Sequence, residues 1–305
     1  MAHQHKIING LYGFDHIAVR LESLKTGIPA YNKLFNKLSP DRTGSVPDMG
    51  MEMAFYDLPN GGYVEIIAPT KEDSILTPAL KKNGPGMNLM AFQVEDLKAT
   101  VEKMKSNGVR IVTNGLGQQL VHPKSSHGVL IQLVEKPENA KRRNKVGQVP
   151  DTSGKDAAIV SYKCTVIFVE DLEKAIESYT KLGLKLTFKA PPNEAMGFTQ
   201  ALFFLRGGGM IELIGPTPNG GQASENFLKT VQSQGEGFYL LSLDGTAGIV
   251  DALHERGIRT RETDLQHSDI HKSATLTPKM LFQLNPVLMG AEGEVVLKKK
   301  GSSKM

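Results

Sequence analysis

The stretch FDHIAVRLESLKTGIPAYNKL, Phe14 to Leu34, returns later in the chain as YKCTVIFVEDLEKAIESYTKL, Tyr162 to Leu182, with the same spacing of apolar, acidic and aromatic positions. At a nearly constant offset of about 148 residues, GGYVEIIAP (Gly61 to Pro69) is matched by GGMIELIGP (Gly208 to Pro216), and VEKMKSNGVRI (Val101 to Ile111) by IVDALHERGIRT (Ile249 to Thr260). Self-similarity at a fixed separation decides architecture before any local preference does, so the chain is a duplicated domain. Between the copies runs EKPENAKRRNKVGQVPDTSGKD, Glu135 to Asp156, charged, proline-containing and without periodicity, which reads as a linker. The expected organisation is a first domain over residues 11–136, a linker over 137–154, a second domain over 155–286 and a basic tail over 287–305.

A length of 305 residues suits two domains of roughly 150 residues each. Forty per cent hydrophobic and 22% charged residues describe a soluble globular protein. The longest apolar runs, such as MIELIG and FYLLSL, fall far short of the roughly 18 to 20 residues that cross a bilayer, so no membrane partner is expected. The start, MAHQHKIINGLYGFDH, lacks the apolar stretch and small-residue cleavage site of a secretory leader. Cys164 is the single cysteine and cannot close an internal disulfide, which suits a reducing compartment such as the cytoplasm. The net charge of +4 sits largely in KRRNK and the terminal KKKGSSKM, without interleaved aromatics, so no nucleic-acid groove is expected. The expected partners are a small-molecule substrate and a second copy in a homodimer. The last residues, Ser303-Lys304-Met305, resemble a peroxisomal address of the serine-lysine-leucine kind.

Within each half a shorter unit recurs: an apolar strand, an acidic turn, a helix, then strands separated by glycine or asparagine turns. FDHIAVRL and LMAFQVEDL both open such a unit. Ser23 and Asp171 are placed as helix N-caps, and Ile176, Tyr179 and Leu182 give the stripe of a helix lying on a sheet. Gly27 and Pro29 predict that the first helix starts near Ile28, because proline suits a first turn and not a deeper one. PNGG, inside GMEMAFYDLPNGGYVEIIAP, predicts a hairpin, and RGGGM (Arg206 to Met210) predicts another. Four strand-helix-strand-strand-strand units make an α+β chain.

FDHIAVRLESL, YVEIIAP, GPGMNLMAFQVEDLKATVEKMKSNGVRI and VHPKSSHGVLIQLVE together resemble the vicinal oxygen chelate superfamily, and within it the methylmalonyl-CoA epimerases. The resemblance covers almost all of residues 14–135 and, more loosely, Ser161 to about Pro286. It implies paired βαβββ modules, two per half, each pair curling into an open barrel-like cup that holds a metal and a substrate. It also implies four ligand positions per cup, on the first and last strand of each module. In the first half these are His16, Glu65, Leu89 and Gln132; Asn88 and Leu89 stand where the family has a histidine pair. In the second half they are Cys164, Glu212, Phe238 and Gln283.

His16, Glu65 and Gln132 form a mixed nitrogen and oxygen set of the kind that takes Zn²⁺, Mn²⁺, Co²⁺ or Ni²⁺. Leu89 coordinates nothing and Gln132 is neutral, so a metal is expected to be weakly held or absent. Glu65, between Val64 and Ile66, points away from both and serves as ligand or base. In the family, carboxylates remove a proton beside a thioester while a metal holds the enolate. Gln132 cannot take that proton; Glu52 in GMEMAF is the substitute base offered by the sequence. Cys164 has no neighbouring base and reads as a small core residue. His267 and His271, in HSDIHK, read as an exposed loop.

The leading functional reading is an isomerase, epimerase or lyase acting by proton transfer or enolate stabilisation on a small oxygenated metabolite or acyl thioester. The alternatives are a non-catalytic binding or resistance protein, motivated by the missing ligands, and a ring-cleaving dioxygenase. The last needs a His, His, Glu set that neither cup supplies. The first cup is expected to work and the second to play a structural or substrate-shaping part.

Overall fold

Each copy of the repeat opens with a strand shielded on both faces, and each sheet is built outward from it. A computed structural model describes residues 10–136, 156–246, 248–258 and 275–276. In the first half β1 (Gly13–Arg20), α1 (Leu24–Phe35), β2 (Arg42–Val46), β3 (Met51–Asp57) and β4 (Tyr63–Pro69) form one module. After α2 (Thr77–Asn83) come β5 (Gly86–Val94), α3 (Leu97–Ser106), β6 (Ile111–Thr113), β7 (Gln119–Val121) and β8 (Ile131–Glu135). The second half repeats the order: β9 (Ile159–Phe168), α4 (Leu172–Lys181), β10 (Phe188–Lys189), β11 (Phe198–Phe204) and β12 (Met210–Pro216). It continues with α5 (Gln222–Gln234), β13 (Gly237–Gly245), α6 (Ile249–Glu255) and β14 (Thr275–Leu276). The linker, the basic tail, Gln283 and the His267 and His271 pair lie outside the described residues.

The strands assemble into two separate sheets, ordered β2-β3-β4-β1-β5-β8-β7-β6 and β10-β11-β12-β9-β13-β14. Both are open rather than closed barrels. In each half the first strand runs parallel to the last strand of its module and antiparallel to the first strand of the next. His16 stands opposite Tyr63 on β4, and Cys164 opposite Met210 on β12. Between the first strands and their module partners the register reproduces the sequence repeat, whereas β14 pairs antiparallel with β13 where β8 pairs parallel with β5.

Local chemistry explains most element boundaries. The Ser23 hydroxyl accepts from Lys25 N at 3.1 Å, and the Asp171 carboxylate from Lys174 N at 3.1 Å, so both predicted caps form. The cap at Ser23 also corrects the predicted start of α1, which begins at Leu24 and carries Pro29 inside it. The proline is tolerated because it and Lys25, whose carbonyl loses its helix partner there, both lie on the exposed face, where that loss costs least. The PNGG and RGGGM segments make the predicted hairpins, with Gly61, Gly62, Gly208 and Gly209 all at positive φ.

Alternation along each strand divides the side chains between two faces. Ile17 and Val19 on β1, Val64, Ile66 and Ala68 on β4, and Met90 and Phe92 on β5 face the helices. They join Ile167, Tyr179, Phe203 and Leu213 of the second half in one continuous core. The opposite face of the first sheet carries a smaller apolar cluster, with Ala18, Met51, Ile67 and Leu76 at its centre and Leu80 and Leu89 against it.

The halves interlock through equivalent positions. Gly207 N donates to Tyr12 O at 2.8 Å, and Asn60 N, its counterpart in the other half, donates to Val160 O at 2.9 Å. A Cβ on Gly62 (φ 76°) would lie 2.6 Å from Asp15 O and 3.0 Å from the Tyr162 ring. One on Gly209 (φ 81°) would lie 2.8 Å from the Phe14 ring and 3.3 Å from Lys163 O. Each half thus offers a hairpin glycine to the first-strand aromatic residue of the other, an approximate two-fold relation within one chain.

Candidate functional site

The polar centre lies on the face of the first sheet away from α1 and α3. Strand pairing lines up Tyr63 on β4, His16 on β1, Ala91 on β5, Gln132 on β8 and Leu120 on β7 in one row. The adjacent row holds Phe55 on β3, Glu65 on β4, Ala18 on β1 and Leu89 on β5. His16, Glu65 and Gln132 therefore share a face, as the sequence implied. Alanine at positions 18 and 91 leaves the middle of both rows short. His16 is 4% and Gln132 8% exposed, so this chemistry is withdrawn from solvent.

His16 is held from three sides. Its Nδ1 lies 2.8 Å from Asp15 Oδ1, and Gln93 Nε2 donates to the other oxygen of Asp15 at 3.1 Å. A β-bulge between Phe14 and His16 lets Asp15 and His16 meet although they are neighbours in sequence. The imidazole stacks on Tyr63 with ring centres 4.5 Å apart. With Nδ1–H directed at a carboxylate, Nε2 is left to face Glu65, whose Oε2 lies 3.8 Å away.

Burial raises the Glu65 pKa above the ordinary carboxylate range; His16 and Arg42 pull it back down. Arg42 lies over the rings of Phe55 and Tyr63, at 4.7 and 5.1 Å, and its Nη2 donates to Asp57 at 2.6 Å. A carboxyl group that can change protonation, beside an oriented imidazole, is equipped to move a proton.

Two further residues on the sheet bear on the site, and sequence reasoning passed over both. Tyr162, from the second half, accepts from Ile17 N at 3.1 Å and donates to Tyr63 O. Ile17 is opposite Val64, so a regular parallel ladder would join Ile17 N directly to Tyr63 O. The phenol is instead wedged between β1 and β4, beside the stacked His16 and Tyr63. Its counterpart in the first half is Phe14, which has no hydroxyl to offer. Arg20, 6% exposed, follows His16 and Ala18 on the same face of β1. Its Nε and Nη2 donate to Gly84 O at 3.2 and 3.1 Å, and its Nη1 donates to Asn88 Oδ1 at 3.2 Å. Alternation from His16 was the signal that could have flagged Arg20; nothing local could have flagged Tyr162.

Glu52 does not join this group. The register places it opposite Ala68, on the helix side with Ala54 and Tyr56, whereas Phe55 is the β3 residue that stands opposite Glu65. The physical reason is the two-residue period of β3: a base in this row would need odd parity.

The second sheet has a different interior. Cys164, Val166, Phe168, Ile214 and Val231 form an apolar cluster with Phe198, Phe227 and Leu240, so α5 packs directly over the strand that corresponds to β1. Glu212 accepts from Gln200 Nε2 and lies 3.9 Å from Cys164 Sγ. Burial, reinforced by the Glu212 charge, pushes the Cys164 thiol far above its usual range, which makes it a packing group and not a nucleophile.

Among the described residues no three His, Cys, Asp or Glu side chains are placed so that they could hold a metal ion. The first cup offers one imidazole nitrogen and one carboxylate at metal-sharing distance, with the neutral amide of Gln132 two strands from His16. Leu89 packs in the apolar cluster on the row where a further donor would stand. That donor chemistry does not fit a tightly resident divalent ion.

The modules, the two open sheets and the polar rows place the chain in one class. Residues 15–121 match one profile and residues 161–266 another, both of the Glyoxalase/Bleomycin resistance protein/Dioxygenase superfamily, and the chain belongs to it with the domain present twice. Within it, the ethylmalonyl-CoA/methylmalonyl-CoA epimerase of Cereibacter sphaeroides is 28% identical over 129 residues, spanning 39% of this chain and 94% of that protein. The mitochondrial methylmalonyl-CoA epimerase of Dictyostelium discoideum is 27% identical over 135 residues, spanning 42% of this chain and 80% of that protein. The crystal structure of methylmalonyl-CoA epimerase from Mycobacterium tuberculosis shares 28% identity, with a TM-score of 0.38, covering 45% of this chain and 97% of that one. No helix among the described residues is long and apolar enough to cross a membrane.

Proposed function

We propose that this chain is an epimerase-type isomerase that moves a proton on the carbon beside an acyl thioester, with the first cup as the reaction site. The observation that carries the reading is the buried pairing of Glu65, whose pKa burial raises, with a His16 imidazole oriented by Asp15. The acidic C–H bond breaks towards the Glu65 carboxylate, the electron pair passes into the thioester as an enolate, and the pair returns to the carbon when a water-derived proton re-forms the C–H bond on the opposite face and Glu65 gives its proton back to solvent. His16 shares the proton through Nε2, and its positive form is stabilised by Asp15. Gln132, across the gap left by Ala91, supplies amide N–H groups towards the enolate oxygen. Similarity to acyl-CoA epimerases over the first half supports the same choice. The second cup, filled by aromatic and aliphatic side chains, acts as scaffold. We propose further that the site works without a tightly held metal.

The test is incorporation of deuterium from heavy water into a panel of acyl-CoA thioesters, before and after dialysis against a chelator. Exchange that survives the chelator and is lost in Glu65→Gln is expected. Thioester binding with no exchange would instead establish the non-catalytic binding reading, which Leu89 on the ligand row favours. Exchange abolished by the chelator and restored by a divalent ion would refute metal-independence.

A further inference from the structure

Where the two halves meet, three side chains from separate segments form a hydrogen-bonded chain in the order carboxylate, imidazole, hydroxyl. Glu236, between α5 and β13, places both carboxylate oxygens 3.0 Å from His127 Nδ1, and His127 Nε2 lies 3.2 Å from the Ser178 hydroxyl on α4. Because a carboxylate only accepts, the proton on that side belongs to Nδ1, and in the neutral imidazole Nε2 is left to accept from Ser178. Glu236 is itself held, since its Oε1 also accepts from Glu170 N at 2.8 Å. Burial works to raise the Glu236 pKa, but the bonds from His127 and Glu170 N outweigh it and keep the carboxyl below its ordinary range. It therefore stays charged near neutrality and stabilises an imidazolium beside it.

A bridge between the halves accounts for the His127 and Glu236 pair but not for the rest of the arrangement. A helical hydroxyl ordinarily bonds back to the carbonyl four residues before it, as Thr180 does to Ile176 O at 2.8 Å, whereas Ser178 turns to the imidazole. His127 sits at φ 50°; among the described residues the only other non-glycine at positive φ is Asn36, which closes α1. Backbone strain at a residue that caps no helix gathers at working sites. The loop is also pinned against the carboxylate it bonds, because a Cβ on Gly128 would lie 2.0 Å from Glu236 O. The His127 and Glu236 side chains are 14% and 27% exposed and Ser178 is partly exposed, so the base is shielded while the hydroxyl can be reached.

We propose that Ser178, His127 and Glu236 are a second reaction site, an acyl-transfer centre that hydrolyses activated esters and thioesters. It is separate from His16 and Glu65 and does not rest on the epimerase reading. The Ser178 oxygen attacks the acyl carbon as its proton passes to His127 Nε2, and Glu236 stabilises the imidazolium. The C–O or C–S bond of the substrate then breaks, and the leaving alcohol or thiol takes that proton. Water repeats the sequence on the serine ester: its oxygen joins the acyl carbon, its proton passes to His127, and the acid departs as Ser178 recovers a proton. Lys174 and Lys181, about one turn to either side of Ser178 on α4, are exposed cations paired with Asp171 and Glu177. Mobile charges support a developing oxyanion less than fixed backbone N–H groups do, so amides, with their poor leaving groups, fall outside the substrate class.

The experiment takes the full chain, with p-nitrophenyl acetate and acetyl-CoA as substrates and a fluorophosphonate as covalent probe. Wild type is expected to release p-nitrophenol and coenzyme A over many turnovers and to carry the phosphonate on Ser178, located by mass spectrometry of a digest. Ser178→Ala should lose the label and about tenfold or more of the hydrolysis. His127→Asn, chosen because asparagine tolerates positive φ, should lose about as much. Should His127→Asn fail to fold, Ser178→Ala, which puts a better helix former into α4, answers the question alone. No label, a label on another residue, hydrolysis equal in wild type and Ser178→Ala, or a labelled serine with no turnover each overturns the inference.

Discussion

Replacing Tyr162 by phenylalanine removes one oxygen atom, yet it strikes both halves at once. The ring has room to stay, since it packs against Phe14 at 5.4 Å between centres and the equivalent position of the first half is itself a phenylalanine. What disappears is the partner of Ile17 N and of Tyr63 O, two backbone groups inside the parallel β1–β4 pair. Each buried backbone group left unpaired costs about 1–3 kcal/mol. If the strands stay apart, the variant loses roughly 2–6 kcal/mol; if they close to form the direct ladder bond, the loss falls to about 1 kcal/mol. Closure, however, drags Tyr63 against the His16 ring stacked on it, so the variant that keeps its stability is the one that loses activity. Urea unfolding of wild type and variant, read as a midpoint shift at unchanged slope, gives the first quantity, and deuterium exchange on the acyl thioester gives the second. A variant equal to wild type in both midpoint and exchange rate refutes the reasoning.

The Glu65 pKa makes stability depend on pH in a defined direction. Burial raises it, so its contribution is full below the ordinary carboxylate range and is lost as pH rises through the raised value. Glu65→Gln should match wild type in acid and exceed it near neutrality while losing exchange; melting curves that run parallel from about pH 4 to 8 would contradict this. His16→Ala should lower exchange by about 10²-fold or more, because the proton loses its oriented partner. Cys164→Ala should cost about 1 kcal/mol of packing and leave exchange intact, and equal effects from the two substitutions would show that the working cup has been misassigned.

The repeat made the fold legible. His16 and Cys164 occupy the same register position because the offset read from the sequence is also the offset between the sheets. The site was legible where it depended on strand alternation and on position in the repeat, which brought His16, Glu65 and Gln132 to one face. Glu52 was misplaced because the parity of β3 relative to β4 is set by the hairpin register, Phe55 against Glu65, and not by either strand alone. The start of α1 was misread because the rule for Pro29 is local, whereas the exposure of Pro29 and Lys25 is a property of the packed helix. Tyr162 was invisible for a different reason: it lies 145 residues from Ile17, and nothing in either segment announces the contact.

The wedged phenol also sets an order of events during synthesis. Tyr63 and Tyr162 are 99 residues apart, so at about 5–20 residues per second the ribosome delivers the tyrosine roughly 5 to 20 seconds after the strands it will separate. By the end of that interval the nascent first half contains His16, Glu65 and Gln132, but the hydroxyl that spaces β1 and β4 does not yet exist. A truncated product ending between the halves would carry all three of these side chains and still lack the spacer, so the proposed proton exchange would report that translation had passed into the second half.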